Sequence, residues 1–288
     1  LAILEINSYV GRFFASLLPV SPGVNAVAAL DYAYEVVQAP IGILAISVAT
    51  VLFPGMSERA AAGDRIALRQ TVSVGVRSVL FLMVPISAVL VVFAEPVIRL
   101  VFERGEFGPA ATSTVAACLA AYALGLVPMA TYYVVTRTFY ALHNMRTPVI
   151  IGGVMVVLNA LLAYTLMRAL GVPGIALASA VVASVNVALL LAILHRTLGP
   201  IDGARLAGSA LRTGVATAFA VSVVWWVLRL GVGGLGQGSL QEAARLGAGL
   251  AIAAVLYMGA CLVLRVDEVR LLRDIVRRAP VGGPQEVP

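Results

Sequence analysis

The chain has 288 residues, 61% of them hydrophobic and 12% charged, with a formal charge of +6. A soluble domain holds about 25% charged and 45–50% apolar residues. The composition and a mean hydropathy of +0.99 therefore exclude a water-soluble globule and leave the bilayer as the matching solvent. Every basic residue is Arg, and none belongs to a basic, aromatic-rich domain, which argues against a nucleic-acid partner.

In chain order, the first apolar segment spans 1–18 and holds Glu5, Asn7 and Arg12. It lacks the basic head, unbroken apolar core and small-residue cleavage site of a signal peptide. With Leu1 in place of an initiating Met, it reads as part of a longer chain. Further segments cover 24–53, 71–93, 110–140, 148–168, 173–195, 209–230 and 243–264. Each is near the ~20 residues that cross ~30 Å of hydrocarbon. The pattern predicts an all-α fold, a polytopic transmembrane bundle of about eight membrane-spanning helices.

Ser21-Pro22 is placed to start the second helix and Pro54-Gly55 to end it. Pro148 opens the fifth, "GVPG" (171–174) separates fifth from sixth, and "GVGGLGQGS" (231–239) precedes the last. Arg59, Arg65, Arg69, Arg77, Arg137, Arg146, Arg196, Arg205, Arg212 and five Arg of the tail gather at the even connections and the C-terminus. Arg99, Arg104, Arg168, Arg229 and Arg245 are left to the opposite side. The positive-inside tendency puts the even connections and the C-terminus in the cytoplasm. The tail, 265–288, starts as a basic amphipathic helix with Val269, Leu272, Ile275 and Val276 on one face, suited to an anionic inner leaflet or a docking partner.

The second segment holds the least expected residues. Asp31, Tyr34, Glu35 and Gln38 recur at i, i+3, i+4 and i+7, one stripe of a helix. A charge facing lipid at a helix centre costs at least about 2.5–3.5 kcal/mol, so the stripe should face other helices or a wet cavity. Two carboxylates one turn apart repel, and a cation, a proton or an Arg should accompany them. Pro40 and Gly42 weaken the helix just beyond, as expected where backbone borders a cavity. Arg12 is the candidate counter-charge. It either pairs with Glu35 or Asp31 across the two helices or meets an anionic substrate, to whose phosphate oxygens its guanidinium fork is suited.

Asn159 and Asn186 read as interhelical hydrogen-bonding amides. Tyr132, Tyr133, Arg137 and Tyr140 read as interfacial anchors at the inner end of the fourth helix. Glu103, Arg104 and Glu106 read as a solvated outer connection. Cys118 and Cys261 lie in apolar segments as small core residues, with no disulfide framework or zinc spacing. His143 and His195 are too far apart in sequence to argue for a metal site. No nucleophile elbow, HExxH, P-loop or dinucleotide turn is present, which favours transport over catalysis.

Five stretches carry a resemblance: "APIGILAISVATVLFPGMSERAAAGD" (39–64), "LVFERGEFGPAATS" (100–113), "AAYALGLVPMA" (120–130), "FYALHNMRTPV" (139–149) and "LGVPGIALASAVVASVNVALLL" (170–191). In order and spacing they resemble the MurJ/MviN lipid II flippases, within the multidrug/oligosaccharidyl-lipid/polysaccharide exporter superfamily. The resemblance implies a fourteen-helix fold of which this chain holds the seventh helix onward. Residues 1–198 would form the second six-helix lobe, 199–264 two additional helices with a groove for a lipid tail, and 265–288 the basic cytoplasmic tail. The implied function is translocation of undecaprenyl-pyrophosphate-linked peptidoglycan precursor across the bacterial cytoplasmic membrane by alternating access, without enzymatic chemistry. The implied partners are that lipid-linked precursor, membrane lipid and the missing N-terminal lobe of the same chain.

The candidate substrate-binding or coupling residues are Arg12, Asp31, Tyr34, Glu35, Gln38 and Arg137. No resident metal or cofactor is expected, and an ion or proton gradient would bias the cycle. Asn159 matches an amide of the sodium-binding cluster of some relatives, but the acid one turn later is Ala163, so that site is depleted. Relatives carry an Asp-Arg pair where this chain has Tyr34-Glu35, and Gly11 replaces an Asp before Arg12. Glu35 is thus expected to face the cavity and to pair with Arg12 or with an Arg of the missing lobe. The altered charges keep two alternatives open: export of another polyprenyl-linked oligosaccharide or of drugs, and a transport-inactive scaffold for cell-wall machinery.

Overall fold

The structure, a computed structural model, describes residues 2–18, 25–105, 107–200, 202–230, 239–264, 266 and 268. The Ser21-Pro22 start, Glu106, the 231–238 connection and the rest of the tail lie outside the described residues, as do the side chains of Glu5, Arg229 and Arg245. Among the described residues all regular structure is helical: α1 (Ala2–Ser16), α2 (Ala26–Pro40), a π turn (Ile41–Ala45), α3 (Ile46–Ala61), α4 (Arg65–Val92), α5 (Ala94–Phe102), α6 (Pro109–Leu124), α7 (Leu126–Ala141), α8 (Arg146–Leu170), α9 (Val172–Leu198), α10 (Gly203–Leu230) and α11 (Ser239–Val263).

Five continuous helices are long and apolar enough to cross a membrane, and the pair α6–α7, bent by 43°, supplies a sixth. The shorter α1 and the apolar part of α11, Gly247–Val263, complete the polytopic bundle expected from the sequence. Large apolar side chains such as Val154, Val157 and Leu161 on α8 and Val255, Leu262 and Val263 on α11 are exposed. Such a surface calls for lipid or another apolar protein face to cover it.

The helix ends differ from the sequence reading for definable reasons. α2 is capped by Asn25, whose side chain accepts from the Val27 N–H at 2.9 Å. Its helical path, through the π turn and α3, continues unbroken past Pro54-Gly55 to Ala61. A proline removes one hydrogen bond but its φ suits a helix; the path ends instead beside Gly63, which turns left-handed at φ +69°. The segment 110–140 is two helices because Gly125 packs against Ala180: a Cβ there would lie 2.6 Å from the Ala180 Cα. Ser87 donates to the Ala123 carbonyl beside this bend at 2.6 Å. An unpaired carbonyl is expensive in hydrocarbon, which is why breaks inside a membrane recruit side chains from neighbours.

One main core joins α1 through α9 around Val37, Ile41, Leu119, Leu126 and Phe139. Two smaller clusters seat α10 and α11 against α4, around Phe81, Ala216, Tyr257 and Cys261, and around Phe93, Val221, Val224 and Ala253. Cys118 and Cys261 are buried and free.

Candidate functional site

Helix α1 crosses beside α2, and α8 and α9 pack behind them. These walls, with α6 and α7, enclose a partly open cavity of about 90 Å³. α1 contributes Asn7 and Arg12, α2 contributes Asp31, Tyr34 and Gln38, and the π turn contributes Ile41. The far wall carries Tyr122, Tyr132 and Tyr133, and the floor Asn159, Ser179 and Asn186.

Arg12 Nε donates to Asp31 Oδ1 at 3.0 Å, with the two side chains 46% and 40% exposed. This is one of the two pairings the sequence allowed. Half-exposed ion pairs are worth at most about 1 kcal/mol in an aqueous setting. A guanidinium carries five donors, so one contact at Nε does not exhaust Arg12. The Tyr9 ring lies 5.7 Å from its guanidinium carbon. Tyr34 packs on Tyr122 with ring centroids 5.5 Å apart, so one of the aromatic walls is continuous across two helices.

The α2 stripe divides. Asp31, Tyr34 and Gln38 line the cavity, whereas Glu35 is exposed and lies off its lining. At about 100° per residue, Tyr34 and Gln38 sit on one side of Asp31 and Glu35 about 40° to the other. The cavity opens on the Tyr34 side, and the expected contact between Glu35 and Arg12 gives way to the one with Asp31. Arg137 also lies off the cavity, with its guanidinium 5.3 Å from the Phe53 ring centroid. Tyr132 and Tyr133, read from sequence as interfacial anchors, are wall residues instead. Their signal was Tyr-Tyr inside an apolar helix, but their direction is set by the bend at Gly125, which hydropathy does not report.

Asn159 is 1% exposed and its Nδ2 donates to the Asn7 carbonyl at 3.4 Å. The side-chain oxygens of Asn7, Asn159 and Asn186 are buried and have no partner among the described residues. The cavity therefore offers neutral acceptors, which water or a guest's N–H and O–H groups would satisfy. Position 163, one turn beyond Asn159, is a buried Ala. No group of three or more His, Cys, Asp or Glu able to hold a metal occurs among the described residues.

A cavity lined by an ion pair, amides and tyrosines, sunk into an apolar helix bundle, is the construction of a membrane transporter. Residues 1–242 match the family described as lipid II flippase MurJ. The chain is 40% identical over 195 residues to a probable lipid II flippase MurJ of Rhizobium meliloti (strain 1021), covering 67% of this chain and 35% of that protein. It is 31% identical over 280 residues to the corresponding protein of Synechocystis sp. (strain ATCC 27184 / PCC 6803 / Kazusa), covering 94% and 50%. Among solved structures, a lipid II flippase MurJ in an inward closed conformation superposes with a TM-score of 0.72 at 21% identity, covering 92% of this chain and 52% of that one. The chain belongs to the MurJ lipid II flippase family and is a multi-pass membrane protein. It spans about a third to a half of the length of these relatives.

Proposed function

We propose that this chain forms the C-terminal lobe and accessory helices of a flippase that carries undecaprenyl-pyrophosphate-linked peptidoglycan precursor across the bacterial cytoplasmic membrane. The observation that carries the reading is the polar cavity with Arg12 at its lining, in a chain of this family. In this scheme the lobe rocks against a second lobe, the head group crosses through the wet interior and the prenyl tail stays in lipid. Arg12 meets the anionic pyrophosphate, and the tyrosines and amides receive uncharged parts of the head group. Glu35, exposed off the cavity lining, meets an Arg of the N-terminal lobe and couples proton binding to release of the substrate. Arg137 serves the inner end of the pathway, and Asn159 orders the floor. Residues 1–198 act as the lobe and 199–264 as the accessory pair, with the C-terminus in the cytoplasm.

Complementation tests this. The full-length gene should restore growth and wall synthesis to a strain depleted of its own flippase, and precursor accumulated in the inner leaflet should clear. Failure to clear it, with the protein present in the membrane, would sink the proposal. A second reading, export of another polyprenyl-linked oligosaccharide, draws on Glu35, an acid where the resemblance implies a cation. It predicts growth failure together with accumulation of a different lipid-linked glycan.

A further inference from the structure

The two accessory helices meet the lobe along a largely apolar seam; α10 buries Thr213 and Thr217, and α4 carries a polar strip on one face. Pro85 lies inside α4 and has no N–H, so the carbonyl of Phe81, four residues earlier, loses its helical donor. Tyr257 of α11 supplies the replacement: its hydroxyl donates to the Phe81 oxygen at 2.6 Å, and its ring packs on the Phe81 ring at 5.4 Å. One turn earlier on the same face stands Arg77. Its Nη1 lies 3.4 Å from Oε1 of Glu268, which also accepts from Ser209 of α10 at 3.1 Å. Glu268 is 3% exposed, the one charged residue in the buried class among the described residues.

The rest of the seam is made of side chains such as Ala216, Ala220, Val221, Val224 and Ala253. In lipid no hydrophobic force holds helices together, so the apolar part of the seam is held by close packing of its side chains. A buried carboxylate without its cation, or a freed carbonyl without its donor, is by contrast expensive. Both are satisfied together here, by Tyr257 on α11 and by Glu268, which follows the end of α11 at Val263.

We propose that Arg77 and the Phe81 carbonyl freed by Pro85 form a docking strip on α4 that recognises Tyr257, Ser209 and Glu268, and that it binds the α10–α11 pair to the lobe as one moving body. The accessory helices then travel with the lobe through the transport cycle instead of swinging separately. The docking does not depend on which lipid is transported.

The test uses the full-length protein in lipid nanodiscs. Tyr257→Phe should lower the thermal midpoint by about 1 °C, the equivalent of about one hydrogen bond in the full-length protein. In a Pro85→Ala background, where residue 85 regains its N–H, the same substitution should cost less than half as much. Spin labels at exposed Ile66 and Val263 should give a narrow distance distribution in the parent. It should broaden in Tyr257→Phe/Glu268→Gln and narrow again when Arg77→Glu and Glu268→Arg are combined. Equal cost of Tyr257→Phe in both backgrounds, or an unbroadened distribution in the double variant, would overturn the proposal. So would a charge swap no better than its single components. None of these readouts requires translocation, so they separate this inference from the substrate assignment.

Discussion

At the scale of single residues, the proposed function gives Arg12, which lines the cavity and pairs with Asp31, the contact to the anionic head group. A charge-assisted hydrogen bond is worth about 1.5–3 kcal/mol, so Arg12→Ala should reduce precursor translocation about ten- to a hundredfold in a vesicle assay. Arg12→Lys should recover only part of it, because a point charge does not reproduce a planar fork. Unchanged rates in Arg12→Ala would remove this residue from the substrate path. Gly174 is a purely steric case: a Cβ there would lie 2.2 Å from the Leu166 carbonyl oxygen. Gly174→Ala must separate the α8 and α9 backbones and should cost about 1–3 kcal/mol, read as a lowered thermal midpoint. The polarity of the α2 stripe was legible in the sequence, and so was Arg12 as its counter-charge. Which of Asp31 and Glu35 takes the guanidinium was not, because the two lie one turn apart, about 6 Å along the helix and about 40° around it, both within reach of a long side chain.

At the scale of elements, breaks and caps decide where side chains point. The π turn at Ile41–Ala45 follows Pro40 directly. π turns insert one extra residue into a helix and recur at functional sites. Deleting one residue within 41–45 should restore plain α-helix and, because the turn absorbs one extra residue, keep the faces of α2 and α3 in register. Asp31, Tyr34 and Gln38 would stay at the cavity, and transport should be retained. Lost transport in a protein that still inserts would show that the turn itself is needed. The αL position after α7 offers a stabilising change. His143 sits at φ 55°, where its N–H bonds the Tyr140 carbonyl and the Asn144 N–H bonds that of Phe139. His143→Gly should raise stability by about 0.5–1 kcal/mol, measured as a higher thermal midpoint. Hydropathy located nearly every helix. It misplaced the end of α3 and joined α6 to α7, because Pro54 and Gly125 act through their neighbours and not through their own propensity.

At the scale of the whole molecule, the helices alternate so that Arg59, Arg65, Arg146, Arg196 and Arg205 gather at one end of the bundle, an arrangement read as cytoplasmic. Single cysteines at Ala62 and Arg104, both exposed, should react with an impermeant maleimide from the cytoplasmic and the external side respectively. Cys118 and Cys261, both buried, should stay unlabelled until the protein is denatured, and a reversed pattern would invert the topology. The sequence by itself determined the solvent, the helical class, the alternation of Arg-rich connections and the family. Each of these is a sum over local residues or a match of ordered motifs, indifferent to how helices rotate. Only the tertiary structure decided that Arg12 meets Asp31, that Tyr132 and Tyr133 face inward, and that Tyr257 answers the carbonyl left by Pro85. Those contacts join residues far apart in the chain, and they depend on the rotation and register of packed helices, which an apolar sequence leaves nearly degenerate until a few polar groups must find partners.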